Sequence, residues 1–289
     1  MTSIRQLFEY QFMVNAFEAG TIVAVVAGAM GWFMVLRRQT FAGHTLSIVG
    51  FPGAAGAILL GLSANLGYFA FCVGAALIIG AARESVTTAS YEDESALIGT
   101  VQAMALAFGF LFVSLYQGNL TGLTGLLFGS FLGITNAQVI VLLLVGAFTL
   151  LVIGLIGRRL LFASVDPDVA AAAGLPVRAL AMAFLVLLGL AVAEASQITG
   201  SLLVFALLVL PPATAQALTG RPLLGIGLSM VIGVAVTWIS LTIAYYTPYP
   251  TGAYLTSLGF AAYVAARLIR VALDRPRARV SVALPVTSS

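Results

Sequence analysis

The chain has 289 residues, of which 61% are hydrophobic and only 8% are charged, and its formal net charge is +3. A soluble domain carries about 25% charged residues, so this composition excludes a soluble globular protein and predicts a multi-pass membrane protein. All 13 basic residues are arginine, which excludes a phosphate-binding P-loop from this chain because that motif requires a lysine.

The apolar runs predict an all-α fold with about nine transmembrane helices, since about 20 apolar residues are needed to span the hydrocarbon core. In chain order, the predicted spans are 13–36, 46–64, 67–82, 95–116, 137–157, 178–194, 199–218, 222–246 and 252–270. Two pairs of neighbouring segments are short, which leaves a count of eight open.

Three regions follow from this reading. Residues 1–12 form an N-terminal segment in which apolar residues at helical spacing predict a short interfacial helix over residues 4–12. Residues 13–270 form the transmembrane domain. Residues 271–289 are polar and interrupted by proline, and we predict a disordered cytoplasmic tail.

The arginines predict the orientation, because arginine-rich loops stay in the cytoplasm. With Arg37 and Arg38 inside and nine alternating spans, twelve of the thirteen arginines fall on the cytoplasmic side and only Arg5 lies outside. We therefore expect an external N-terminus and a cytoplasmic C-terminus.

Residues 121–133 contain glycines at spacings of three, four and four, namely Gly122, Gly125, Gly129 and Gly133. On a helix these positions share one face. This spacing predicts close packing against a neighbouring helix, as small residues at this spacing allow.

The connection at 158–178 carries the signals of a short capped helix. Asp166 is a good N-cap, Pro167 suits the first helical position and Asp168 complements the helix dipole. Gly174 predicts the C-terminal cap, and Pro176 prevents the helix from continuing. Two interpretations remain open: a connector packed on its own bundle, or a docking helix for a cytoplasmic partner.

Six stretches of the chain carry a family resemblance. They are "VLRRQTFAGHTLSIVGFPG" (35–53), "EDESALIGTV" (92–101), "TGLLFGSFLG" (124–133), "DPDVAAAAGLP" (166–176), "TGSLLVFALLVLPPATAQALT" (199–219) and "YPTGA" (249–253). In this order, over about residues 11–270, they resemble the permease subunits of ABC importers for zinc and manganese.

The resemblance implies a permease that forms the translocation pathway for zinc or manganese in the plasma membrane of a bacterium. It implies a homodimer docked on two ATPase subunits, which bind ATP and Mg and hydrolyse the ATP. It also implies an extracytoplasmic protein that binds the metal and delivers it. This chain is then no enzyme, holds no cofactor, and contacts lipid but no nucleic acid. Which metal is carried, and whether the two permease copies are identical, stay open.

The resemblance also assigns the capped segment to a coupling helix that sits in a groove of the ATPase. The positions that match are Asp166, Pro167, Asp168, Val169, Gly174, Leu175 and Pro176. The capping pattern and the resemblance thus agree on a docking role.

The only histidine, His44, departs from the family pattern. Family members carry an aspartate and a histidine four residues apart in this stretch, whereas this chain has His44 at the aspartate position and Ile48 at the histidine position. Ser47 matches the family and lies near the imidazole. His44 could be a lone metal ligand assisted by a second protomer, could line a pathway for another substrate, or could be an interfacial residue beside Arg37 and Arg38.

Two acidic residues within the apolar segments are further candidates for the pathway, because ionisable groups inside spans are costly. Glu18 lies toward the outer side of the first span, and Glu194 lies at the outer end of the sixth. Either carboxylate could offer oxygen to an incoming cation. The alternative for both is a hydrated position at the membrane interface.

Other classes of function fit the sequence less well. An ion-coupled carrier usually places paired ionisable groups near the bilayer centre, and this chain has few. An intramembrane enzyme lacks support because one histidine excludes HExxH and no GxSxG occurs. Within the ABC class, a permease for a metal chelate or another small ligand is the alternative.

Overall fold

The computed structural model describes residues 9–85, 91–116, 125–127, 129, 131–201 and 203–274. No strand occurs within these ranges, which confirms the all-α fold. The helices, numbered α1 to α10 here, are Gln11–Leu36, Thr40–Leu59, Ala64–Ser85, Tyr91–Leu115, Asn136–Val165, Pro167–Ala172, Val177–Thr199, Val204–Leu218, Pro222–Tyr246 and Thr251–Asp274. Short helical segments also lie at 125–127 and Phe131–Gly133.

Eight of the described helices are long and apolar enough to cross a membrane. One further apolar helix, α8, is shorter and has 15 residues. At 1.5 Å per residue it spans only about 22 Å of a hydrocarbon core that is about 30 Å thick. Each of the nine predicted segments therefore coincides with an apolar helix, eight of full length and one short. Most of the predicted interfacial helix, and the tail from residue 275, lie outside the described residues.

Helix α2 begins at Thr40, six residues before the predicted start of the span at 46. The hydroxyl groups of two polar residues near this start are hydrogen-bonded within the bundle. Thr45 Oγ1 donates to Gln102 Oε1 of α4 at 3.0 Å, and Ser47 Oγ donates to the carbonyl of His44 at 2.6 Å. A polar residue whose hydroxyl is bonded within the protein costs little in a membrane-spanning helix.

The boundary between α7 and α8 also differs from the prediction. Helix α7 continues to Thr199 and ends at Gly200, whose φ of 77° is left-handed. The backbone at Gly129 packs directly on this turn, because a Cβ at Gly129 would lie 2.2 Å from the carbonyl oxygen of Ile198. The carbonyl of Leu126 accepts the N–H of Ser201 at 3.2 Å and the hydroxyl of Tyr68 at 2.9 Å.

The expectation that four glycines line one helix face is wrong for the described part of 121–133. Gly129 has a φ of 76°, which leaves the right-handed helical region, and Gly133 ends a 3-10 turn. Gly122 lies outside the described residues. The close approach predicted for this stretch is observed at Gly129, where the chain turns rather than continuing as a helix.

Helix α1 lies at the centre of the bundle, where α5, α7, α8 and α9 pack on it. Helix α2 packs mainly on α3 and α4, and α3 packs on α7. Glycines set the closest approaches: a Cβ at Gly53 would lie 2.4 Å from the carbonyl oxygen of Gly67, and one at Gly31 would lie 2.1 Å from that of Leu208. Small residues let backbones meet in this way.

The alternation of the helices brings the described arginines to one end of the bundle, which we call the basic end. There, Arg37 at the α1–α2 turn donates to Ser164 Oγ of α5 at 2.8 Å, and its guanidinium lies 5.3 Å from the ring centre of Phe184 of α7. The arginines of the basic end whose side chains the structure describes are Arg37, Arg38, Arg158, Arg159, Arg178, Arg221, Arg267 and Arg270.

Candidate functional site

His44 lies in the second turn of α2, on a face of the bundle that is partly open. Its ring meets the ring of Phe205 of α8 edge-on, with the centroids 4.9 Å apart. The Nδ1 atom is shielded and has no hydrogen-bond partner within the described part of the chain. The imidazole is therefore not held by a structural hydrogen bond to Nδ1, and a neutral imidazole is a good ligand for a transition metal.

Ser47 lies one turn after His44 but faces the interior, where its side chain is 1% exposed. Its hydroxyl proton is donated to the carbonyl of His44. Ile48, at the position of the family histidine, is partly exposed on the same side as His44. The open face of α2 thus presents the imidazole of His44 and the aliphatic side chain of Ile48, flanked by Phe41 and Phe51, with Ser47 behind them.

Glu194 is enclosed between α1, α5 and α7, and its side chain is 0% exposed. A Cβ at Gly146 of α5 would lie 3.4 Å from Glu194 Oε1 and 3.0 to 3.1 Å from methyl groups of Val26 and Ile22 of α1. Neither carboxyl oxygen has a hydrogen-bond partner among the described residues. The reading of Glu194 as a hydrated interfacial residue is therefore wrong, because three helices close around it.

Glu18 lies near the start of α1, and its side chain is exposed. The preceding residue, Phe17, meets Trp238 of α9 edge-on at 5.6 Å, and Trp238 Nε1 donates to Thr21 Oγ1 at 2.8 Å. Glu18 thus stands beside a small aromatic and polar cluster near the end of the bundle opposite the basic end.

The structure does not bring His44, Glu194 and Glu18 together. Gly50 of α2 and Ser196 of α7 are neighbours, since a Cβ at Gly50 would lie 3.4 Å from Ser196 Oγ. From this contact, His44 lies six residues toward the basic end on α2 and Glu194 only two residues on α7. His44 faces α8, whereas Glu194 faces α1 and α5. The described residues contain no group of three or more His, Cys, Asp or Glu side chains that could hold a metal ion. A metal ion at His44 would need further ligands from water or from another chain.

Helix α6 has the capped ends that the sequence predicts. The carboxylate of Asp166 accepts the N–H of Val169 at 3.0 Å. At the other end, Gly174 has a φ of 80°, its N–H bonds to the carbonyl of Ala171 at 2.9 Å, and the N–H of Leu175 bonds to that of Ala170 at 3.1 Å. These two bonds form a Schellman motif, which fixes where the helix ends.

The surface of α6 is mostly free. Ala170 is fully buried against the bundle, whereas Val169 is 52% exposed. Pro167, Asp168 and Gly174 are exposed as well. The helix therefore rests on the bundle through a single alanine, and the rest of its surface stands clear at the basic end.

Sequence reasoning missed the residues that surround His44 and Thr45. Phe205 and Gln102 lie on helices far along the chain, and no local spacing links them to α2. Phe205 falls within a stretch that carries the family resemblance. That resemblance indicates a helix at this position, but it does not indicate the contact of Phe205 with His44.

Comparisons with known proteins agree with this architecture. The model of the ABC 3 transport family matches residues 9–270. The manganese transport system membrane protein MntC of Halalkalibacterium halodurans is 33% identical over 242 residues, which cover 83% of this chain and 82% of that protein. The manganese import system permease protein ScaB of Streptococcus gordonii is 31% identical over 242 residues, which cover 84% and 85%.

A solved structure shows the same arrangement of helices. The structure of PsaBC from Streptococcus pneumoniae in complex with Fab aligns with a TM-score of 0.82 and 28% identity, covering 94% of this chain and 98% of that one. The family match extends over nearly the whole described bundle and confirms the resemblance seen in the sequence motifs. The chain therefore belongs to the ABC 3 transport family and is a multi-pass permease of the cell membrane.

Proposed function

We propose that this chain forms the translocation pathway of an importer for a divalent transition metal ion, with manganese as the first candidate and zinc as the second. The observation that carries the proposal is the similarity to manganese permeases, which covers more than four fifths of both chains. The chain supplies the pathway, and ATP hydrolysis takes place on a separate subunit.

The partners follow from the same proposal. Two ATPase subunits, which bind ATP and Mg, dock at the basic end on the exposed surface of α6. A second permease copy completes the pathway, and an extracytoplasmic metal-binding protein delivers the ion at the opposite end. The collection of arginines at one end supports a cytoplasmic position for that end.

Within the pathway we assign His44 as a ligand for the passing ion. Its support is that the imidazole is partly exposed on the open face of α2, and that its Nδ1 atom has no hydrogen-bond partner among the described residues. A second copy would supply a second imidazole across the dimer axis, which compensates for the missing ligand at Ile48. Ser47 holds the backbone of this turn, and Glu194 and Glu18 are assigned as acidic groups nearer the opposite end.

The test is uptake of radiolabelled manganese and zinc into vesicles that contain the complete importer. His44→Ala should lower uptake at least about tenfold, which corresponds to about 1.4 kcal/mol in the barrier. His44→Asp should retain more activity than His44→Ala and shift the preference toward manganese, because carboxylate oxygen suits the harder ion. Thr242→Ala, on an exposed part of α9, is the matched control.

Two results would contradict the proposal at different levels. If the intact importer moves neither metal, the substrate assignment is wrong. If His44→Ala moves both metals at the rate of the intact protein, the imidazole is no ligand and the interfacial interpretation of His44 holds.

A further inference from the structure

A long groove is open at the surface of the bundle between α5 and α9. Both helices pack on α1, whose Ala29 and Phe33 form the floor. The volume of the groove is about 700 Å³, within the range of about 300–1,000 Å³ that is typical of small-molecule sites. None of the candidate pathway residues lines it, so the groove is separate from the site at His44.

The shape of the groove follows the helix axes. The α5 residues that line it lie between Leu150 and Leu161 and recur every three to four residues, so they form one stripe along the helix. At 1.5 Å per residue this stripe is roughly 16 Å long, about half of a hydrocarbon core of about 30 Å. The groove therefore has the depth of one bilayer leaflet, and it lies toward the basic end.

The lining is apolar except for one charge. Arg158 is the only charged residue in the wall, and its side chain is exposed and makes no ion pair or hydrogen bond with any described residue. On the other wall, Pro222 and Leu223 form the start of α9, and the first turn of a helix carries a partial positive charge. Both features favour an anionic group at this end of an otherwise apolar groove.

We propose that this groove binds an anionic phospholipid of the surrounding bilayer. An acyl chain lies along the floor against Phe33, and the phosphate of the headgroup pairs with Arg158. Leu223 in the wall is 86% exposed, and Leu155 on the same stretch of α5 is 73% exposed. Such exposed aliphatic side chains are suited to contact with the acyl chains of the bilayer. The proposal does not depend on which ion the permease carries.

The structure offers variants that fill the groove without disturbing the bundle. A Cβ at Gly154 meets no atom within 4 Å, so the side chain of Gly154→Trp enters the groove freely. Gly74 of α3 is equally open but lies outside the groove, which makes Gly74→Trp the matched control. Arg158→Gln removes the charge, and Arg159→Gln removes the neighbouring exposed arginine, which is not part of the wall.

The full-length chain, purified in detergent, is titrated with phosphatidylglycerol or phosphatidylcholine, and bound lipid is counted by native mass spectrometry. We expect the intact protein to bind phosphatidylglycerol at least about fivefold more tightly than phosphatidylcholine. Gly154→Trp should abolish binding of the tight lipid, and Arg158→Gln should remove the preference for phosphatidylglycerol. Both control variants should bind as the intact protein does.

Equal binding of the two lipids by the intact protein would overturn the proposal. So would equal effects of Gly154→Trp and Gly74→Trp, or of Arg158→Gln and Arg159→Gln, since a general effect of bulk or charge would then explain the data. Size-exclusion profiles establish that each variant is folded. Gly154→Leu replaces the tryptophan variant if that variant aggregates.

Discussion

At the scale of single residues, we expect the buried carboxyl group of Glu194 to lower the stability of the folded protein. A buried polar group without a hydrogen-bond partner costs about 1–3 kcal/mol, and neither oxygen of this fully buried carboxyl group has such a partner among the described residues. Methionine fills a similar volume and brings no polar atom. Glu194→Met should therefore raise the midpoint of thermal unfolding in detergent, whereas Glu18→Met, on an exposed position, should leave it nearly unchanged.

The same variant separates a structural role from a role in transport. If Glu194 serves the passing ion, Glu194→Met gives a more stable protein with lower metal uptake, the usual exchange between stability and function. A stable variant with normal uptake would remove Glu194 from the pathway. A fall in the unfolding midpoint would show that the carboxyl group supports the packing of α1, α5 and α7 instead.

Whether the environment of a residue can be predicted depends on the sequence separation of the residues that contact it. His44 stands out in the sequence because it is the only histidine. Its contact with Phe205 and the burial of Glu194 depend on helices brought together from distant parts of the chain. Composition identifies such candidates, and tertiary packing determines whether they meet.

At the scale of elements, the contrast between α6 and α2 follows the same principle. Both ends of α6 are predicted because Asp166 and Gly174 act on backbone groups within a few residues. The start of α2 is missed because Thr45 is satisfied by Gln102 of another helix. The turn after α7 is missed because the partner of that turn is the backbone at Gly129, which no periodic pattern indicates.

The capped end of α6 provides a test of the proposed docking role of this helix. Gly174 has a left-handed φ of 80°, which costs a β-branched residue roughly 1–2 kcal/mol while asparagine tolerates it. Gly174→Val should distort the exposed end of the helix and reduce the stimulation of the ATPase by the metal-binding protein. Gly174→Asn should preserve stimulation.

Both Gly174 variants should fold, because a Cβ at Gly174 meets no atom within 4 Å. The measurement is ATP hydrolysis by the assembled importer with and without its binding protein. Normal stimulation in Gly174→Val would show that this end of α6 does not contact the ATPase.

At the scale of the whole molecule, hydropathy predicts the helices because lipid forces each apolar segment to pair its own backbone groups. Hydropathy does not predict that α1 becomes the central helix. That position depends on glycines such as Gly31, which let the backbone of a neighbouring helix approach closely. The order of helices around α1 is a property of packing and not of any one segment.

The orientation of the bundle is testable with two cysteines placed at opposite ends. Ala172 is exposed on α6 at the basic end, and Leu62 is 54% exposed at the α2–α3 turn. In intact cells, a membrane-impermeant maleimide should label Leu62→Cys and should not label Ala172→Cys until the cells are opened. The native Cys72 is buried and gives a low background. Labelling of Ala172→Cys from outside would reverse the proposed topology.

The contact between Gly53 and Gly67 also constrains how the permease can move. There the backbones of α2 and α3 meet without any side chain between them, so rotation or sliding of either helix would bring a side chain against the backbone of the other. We therefore expect the two helices to move together. The contact of α2 with α8, in contrast, includes the rings of His44 and Phe205, and such side chains can separate. If the pathway passes His44, as proposed, we expect it to open at the contact between α2 and α8, and we expect α3 to move with α2.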